Sequence, residues 1–170
     1  MTFYWLGDRS WCIGNERVRS VKTAHLLLVE DNPDIREMLT VLLGEKYRVS
    51  SCGSAAEALT VLEASKPDVL VLDIRMTPVD GVQCLEAIRA MPGFSRTPAI
   101  ALTALARDTE QQAFLAAGFQ AVVTKPILDP RDLETPIDTL LKSSCEPIAS
   151  RALTQGIDDR MIAGHGRGKK

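Results

Sequence analysis

The chain has 170 residues, 45% hydrophobic and 25% charged, with a formal net charge of −2, which fits one globular domain of ordinary size with extensions. That small net hides a split, because residues 25–142 hold 11 Lys and Arg against 17 Asp and Glu, a net of −6, while the two ends carry the positive excess. So acidic a stretch lacks the clustered cations that grip a nucleic-acid backbone, so no DNA binding is expected, and no apolar run approaches the roughly 20 residues of a membrane span.

Residues 1–24 show no sustained periodicity and read as a flexible N-terminal arm; Trp5 and Trp11 stand between breakers such as Gly7 and Gly14, which is not the continuous apolar core of a signal peptide. From residue 25 the pattern changes. "HLLLV" is a short apolar run that closes on Glu30-Asp31, and His25 at its start reads as a surface residue. Asn32-Pro33 opens a helix, with proline suited to the first helical position, and Ile35, Met38, Leu39 and Leu42 follow at helical spacing. "YRVSSC" (47–52) is a second strand, and Ser54 with Glu57 predicts a capping box opening a second helix.

Pro67-Asp68 ends that helix, and the third strand, "VLVL" (69–72), stops on Asp73. Gly81 leads into a helix with Val82, Leu85 and Ile88 on one face. "PAIALT" (98–103) is the fourth strand, 107–117 a helix with Gly118 as its stop, and "QAVVTK" (120–125) the fifth strand. A last helix holds Leu133, Ile137, Leu140 and Leu141; Pro136 within it removes an N–H donor, so the helix is expected to begin near Thr135 or to kink there. Residues 143–170, rich in small, polar and Gly residues, read as a disordered C-terminal tail with no room for a second domain.

Strands alternating with helices, each strand a short continuous apolar run, predict an α/β fold: a doubly wound, five-stranded parallel sheet with five helices. All strand C-termini then share one edge, where open sheets of this kind bind ligands. Glu30, Asp31, Asp73, Thr103 and Lys125 all fall at such ends. Crowded carboxylates are held ionised most readily by a hard cation, and Mg²⁺ suits a few carboxylates plus waters. One acid left to react, a metal, a lysine and a hydroxyl are the parts needed for phosphoryl transfer, with a carboxylate as nucleophile.

From about residue 25 to 142, through "LLLVEDN", "VLVLDIRM…DG", "IALTA" and "VVTKP", the sequence closely resembles the receiver domain of two-component response regulators (CheY-like). The resemblance implies a flavodoxin-like sheet of order 2-1-3-4-5. It makes Asp73 the phosphoryl acceptor and Glu30 and Asp31 the acidic pair for Mg²⁺, with the backbone carbonyl of Arg75 as a further ligand. Thr103 would donate its hydroxyl to the phosphoryl group, Lys125 would pair with a phosphoryl oxygen, and the Lys125–Pro126 bond would be cis. The implied partners are a histidine kinase or phosphotransfer protein and a downstream protein that reads the phosphorylated state.

Three positions depart from the family pattern. Thr77 stands where proline usually follows Met76, and local reshaping of that loop is expected. Val122 replaces the switch aromatic three residues before Lys125 and has no ring to swing. Pro136 interrupts the fifth helix. The reading is a receiver-only response regulator, not an enzyme on external substrates, in the reduced cytoplasm that four widely spaced cysteines (Cys12, Cys52, Cys84, Cys145) imply. Cys52 and Cys84 read as small buried hydrophobes, and Phe114 as core packing. The alternative is a pseudo-receiver that binds partners without phosphotransfer. An Asp-nucleophile phosphohydrolase is disfavoured, because Arg75 stands where many of those enzymes place a second Asp.

Overall fold

The computed structural model describes residues 3–5, 11–13, 16–18, 23–104 and 107–143. Within the expected arm, three short strands, β1 (Phe3–Trp5), β2 (Trp11–Ile13) and β3 (Glu16–Val18), pair antiparallel in sequence order. Three-residue strands are too short for an alternation to show in the sequence. The expected tail beyond Ser143 lies outside the described residues.

The main sheet has strands β4 (His25–Val29), β5 (Arg48–Cys52), β6 (Val69–Asp73), β7 (Ala99–Thr103) and β8 (Ala121–Thr124), all parallel, in the order β5-β4-β6-β7-β8. Counted from β4, that is the expected 2-1-3-4-5. The helices are α1 (Pro33–Gly44), α2 (Ala55–Ala64), α3 (Gly81–Ala90), α4 (Asp108–Ala116) and α5 (Arg131–Ser143).

Neighbouring residues of a strand point to opposite faces, and two separate cores result. Leu26, Leu28, Val69, Val71, Ile100 and Leu102 pack with Leu39 and Leu43 of α1 and Leu133 and Ile137 of α5. Leu27, Val29, Leu70, Leu72, Ala99 and Ala101 pack on the other face with Leu62 of α2 and Leu85 and Ile88 of α3. Central strands buried on both faces need apolar side chains at every position, which is why β4, β6 and β7 read as unbroken runs. The edge strand β5 is buried only at Cys52, so its pattern is weak.

Helix starts follow the capping residues. Asn32 accepts from the amides of Asp34 and Ile35 at 3.0 and 3.2 Å. Ser54 caps α2 through Glu57 N at 3.2 Å, but the Glu57 carboxylate accepts from Gly53 N at 2.8 Å, one residue before the cap. The reciprocal box expected there forms instead on α3, between Asp80 and Gln83. At the C-terminus of α4, Gly118 sits at φ +102°. Its N–H reaches Leu115 O, and Phe119 N–H reaches Phe114 O, at 3.1 and 3.2 Å. This is a Schellman stop, and its hydrophobic contact is the edge-to-face pair Phe114–Phe119, with ring centroids 6.5 Å apart.

Two expectations are corrected. The last helix does not begin near Thr135 but runs from Arg131 to Ser143 with Pro136 inside. Asp129 accepts from Arg131 N at 2.9 Å and the Asp132 carboxylate accepts from Asp129 N at 3.3 Å, so the start is fixed a full turn upstream of the proline. The carbonyl that Pro136 leaves unserved belongs to Asp132, an exposed residue. His25 is 4% exposed, not a surface residue. Its N–H donates to Asp68 Oδ2 at 2.9 Å, and its ring lies between Ser50 Oγ and the Arg48 guanidinium, at 2.8 and 3.2 Å. Pairing with Arg48 on the edge strand covers it.

Candidate functional site

Two strand-final residues, Asp73 and Thr103, and three that follow strands, Glu30, Asp31 and Lys125, lie at the C-terminal edge of the sheet. Glu30 follows β4 directly and is 1% exposed; Asp73 ends the central strand β6 and is 5% exposed; Asp31 is half-buried beside them. One carboxylate oxygen from each of the three lies within 4.8 Å of the others. Lys125, just beyond β8, reaches across with its ammonium 2.5 Å from Glu30 Oε2 and 3.1 Å from Asp73 Oδ1.

The electrostatics follow from that crowding. Burial pushes the Glu30 carboxyl above the ordinary glutamate range; the hydrogen bond from Lys125 pulls it back, and the charge of Asp73 adds to the rise. One ammonium among three carboxylates leaves an excess of negative charge. The donors are all hard oxygens, with no sulfur or imidazole among them, and at this separation they fit Mg²⁺ and not a soft metal.

Thr103 ends β7, is fully buried, and pairs with Thr124 one register step beyond the Asp73–Leu102 pair. Its carbonyl accepts from Lys125 N at 2.7 Å, which ties the lysine to the same edge. The Lys125–Pro126 peptide is cis, as expected, and so is Thr77–Pro78. Arg75 lies two residues past Asp73 with its side chain exposed; its contribution would be a backbone carbonyl.

The loop carrying that carbonyl is held at both ends. Gly81 N donates to Ile74 O at 3.1 Å and closes the loop at the start of α3. Thr77 N donates to Asp31 Oδ2 at 3.2 Å. A proline at position 77 would have no N–H to give, so the departure from the family pattern supplies a hydrogen bond to one of the three acids. Val122 is half-buried and packs against the α2–α3 core.

Sequence reasoning missed two contributors. Gly81 was legible only as a helix start, although its lack of a side chain is what lets α3 approach Asp73. Arg36, on α1, donates from Nη1 to the carbonyls of Glu30 and Asp31 at 2.7 and 3.3 Å. A contact to backbone carbonyls leaves no residue-type pattern in the sequence, so nothing there marked it.

The response regulator receiver domain family matches residues 26–138. The chain belongs to that family. This receiver domain is 39% identical over 109 residues to an uncharacterised 14.6 kDa protein of Leptolyngbya boryana, covering 64% of this chain and 82% of that protein. It is 38% identical over 127 residues to the transcriptional regulatory protein GlrR of Escherichia coli K12, covering 74% of this chain but 28% of GlrR. The chain thus spans most of the first relative and little more than a quarter of the second. Among solved structures, chemotaxis protein CheY4 of Vibrio cholerae superposes with a TM-score of 0.65 at 26% identity, over 69% of this chain and 98% of that one. The receiver domain of sensor histidine kinase PA1611 of Pseudomonas aeruginosa superposes with a TM-score of 0.64 at 29% identity, over 71% and 98% of the two chains. That structure carries a magnesium ion coordinated in the active-site cleft. Receiver domains act in two-component signalling with histidine kinases or phosphotransfer proteins, and they generally bind Mg²⁺ at an acidic cluster such as Glu30, Asp31 and Asp73. Among the described residues, no helix is long and apolar enough to cross a membrane.

Proposed function

We propose that Asp73 accepts a phosphoryl group from the phosphohistidine of a partner kinase or phosphotransfer protein, and that the phosphorylated domain switches its protein contacts or passes the group onward. The observation that carries this reading is the placement of Asp73 at the end of the central strand, with Glu30 and Asp31 beside it and the Lys125 ammonium 3.1 Å from Oδ1.

In the proposed step an Asp73 carboxylate oxygen attacks phosphorus in line. The O–P bond forms as the P–N bond breaks, and the electron pair leaves with the imidazole nitrogen. Lys125 gives up Asp73 Oδ1 for a phosphoryl oxygen, and the Thr103 hydroxyl donates to another. Glu30, Asp31, Asp73 and the Arg75 carbonyl would hold Mg²⁺, which when bound supplies positive charge against the phosphoryl oxygens. Phosphorylation replaces one negative charge with nearly two and adds strong acceptors. The edge formed by Thr103, Lys125 and their elements is thereby biased between two packings.

The reading takes the domain to work in the cytoplasm through protein–protein contacts and not as an enzyme on external substrates. The size of the Leptolyngbya relative, most of which this chain spans, supports a receiver that acts without a joined output domain. The test is incubation with Mg²⁺ and a small phosphodonor followed by intact-mass measurement, with Asp73→Asn and chelator controls. One added phosphoryl group that both controls abolish is the expected result. An Asp73→Asn variant that takes up the group as the natural chain does would overturn the assignment. No uptake and no cation binding would instead favour a binding module without phosphotransfer.

A further inference from the structure

The acids of the site are only as well aimed as the turn that carries two of them. Glu30 and Asp31 lie between the last residue of β4 and the cap of α1, where the chain changes direction and strand pairing ends. Glu30 N still donates to Cys52 O at 3.1 Å. Arg36 Nη1 donates to the carbonyls of both Glu30 and Asp31, at 2.7 and 3.3 Å. A residue one helical turn further along thus closes a ring back onto the acidic turn. Glu30 is nearly fully buried and cannot find its orientation by averaging in water. Its carboxylate is held by Lys125, and its backbone by the bond to Cys52 O and by this contact.

The surroundings are shaped to admit the guanidinium. Gly53, on the loop after β5, lies so close that a Cβ there would stand 3.0 Å from Arg36 Nη1 and 3.5 Å from Cζ. The loop bearing Gly53 is held in turn by the Glu57 carboxylate, which accepts from Gly53 N at 2.8 Å. On the opposite side Thr77 N donates to Asp31 Oδ2, so the acidic turn is gripped through its carbonyls by α1 and through a carboxylate by the loop after Asp73.

We infer that Arg36 is a positioning residue for the cation site: by bridging the Glu30 and Asp31 carbonyls it holds both carboxylates at the separation from Asp73 that divalent-cation binding needs. The inference rests on the proposed reading of that site. Outer groups that orient metal ligands typically contribute 10–100-fold to affinity. Acting through the backbone, Arg36 belongs at the lower end of that range.

The experiment is a Mg²⁺ titration of the whole chain followed by amide chemical shifts in heteronuclear NMR, which shows at once that each protein is folded. Thermal unfolding in chelator is recorded alongside. Arg36→Met, which keeps the apolar stem and removes every donor, is expected to weaken Mg²⁺ binding about tenfold. Gly53→Ala keeps Arg36, adopts the same backbone without strain and crowds the guanidinium; it is expected to weaken binding by a smaller factor, about two- to threefold. A purely structural role would lower the unfolding temperature and leave the affinity of the folded protein alone. Affinity in folded Arg36→Met equal to that of the natural chain overturns the inference, and were that variant unfolded, unchanged affinity in Gly53→Ala would do the same. Absence of Mg²⁺ binding in the natural chain strikes at the cation site itself and is told apart from both.

Discussion

Gly81 and Asp73 are packed backbone against backbone: a Cβ on Gly81 would lie 2.3 Å from the Asp73 carbonyl oxygen and 2.9 Å from Ile74 Cα. No side chain fits that gap, and the obstacle is main chain, which cannot rotate aside. The strand end that aims Asp73 and the first turn of α3 are therefore set by one missing methyl group.

Gly81→Ala is expected to cost about 1–3 kcal/mol, the usual range for forced overpacking, measured by urea denaturation. It is also expected to slow phosphorylation of Asp73 even where the variant is fully folded, because the Asp73 backbone must move to make room. Uptake at the natural rate in a destabilised variant would separate the packing from the chemistry and count against this coupling.

Lys125→Met removes the cation that pairs with the Glu30 and Asp73 carboxylates. Breaking a buried pair by deleting one partner costs about 3–5 kcal/mol, and the loss is expected to be largest in chelator. Lys125 and a divalent cation neutralise the same carboxylates, so added Mg²⁺ should raise the unfolding temperature of the variant more than that of the natural chain. An equal or smaller increment would show that the ammonium and the cation do not share this charge.

On the far side of the domain, Lys46 contacts Glu134 at 3.1 Å and Asp138 at 2.7 Å, while Tyr47 Oη donates to Asp138 Oδ1 at 2.8 Å. Burial alone would raise the Asp138 carboxyl, but the bonds from Lys46 and Tyr47 outweigh it and hold the group below its ordinary value. A depressed acid stabilises the fold above its unfolded pKa and loses that contribution as pH falls through the folded one. Asp138→Asn is therefore expected to cost up to about 1 kcal/mol at neutral pH, the scale of a solvent-accessible pair. The difference should vanish below the depressed value in an acid denaturation series. A gap that persists at the acid end would point to packing and not charge.

Burial pushes the Cys52 thiol up to about 12 and the Cys84 thiol up to about 11. The thiolate is the reactive form, so both should resist iodoacetamide at pH 8 in the folded chain and react on unfolding. Peptide-level mass spectrometry reads this directly, and rapid labelling of either under native conditions would contradict it.

What the sequence made legible was whatever depends on residue type at fixed spacing. Leu26 to Val29 and Val69 to Leu72 read as buried strands because both sheet faces demand apolar side chains, and the acids after them marked the functional edge for the same reason. Asn32-Pro33 and Gly118 fixed helix limits by local chemistry. What stayed hidden depended on who lies opposite. His25 reads as polar and terminal, yet the neighbouring strand covers it. The start of α5 was set by Asp129 and Asp132, whose carboxylates accept from the amides of Arg131 and Asp129 and outweighed the more visible Pro136. The Asp80–Gln83 box was readable in principle, being the S-x-x-E signal with an Asp and a Gln in its two places.

Among the five helices of the main domain, α4 alone has no fully buried residue and no side-chain cap at its start, while its C-terminal end is pinned. Gly118 and Phe119 close the helix, Phe119 is 2% exposed, and Arg89 Nη2 donates to Gly118 O at 2.7 Å. Mechanically this is a lever clamped at one end. Nine residues make an arm of about 13 Å, so a tilt of about 10° at the Gly118 pivot sweeps the Asp108 end through about 2 Å. A displacement of that size is legible to a docking partner, and it requires no fully buried side chain of α4 to move, because Phe114, which packs on the core, lies near the pivot.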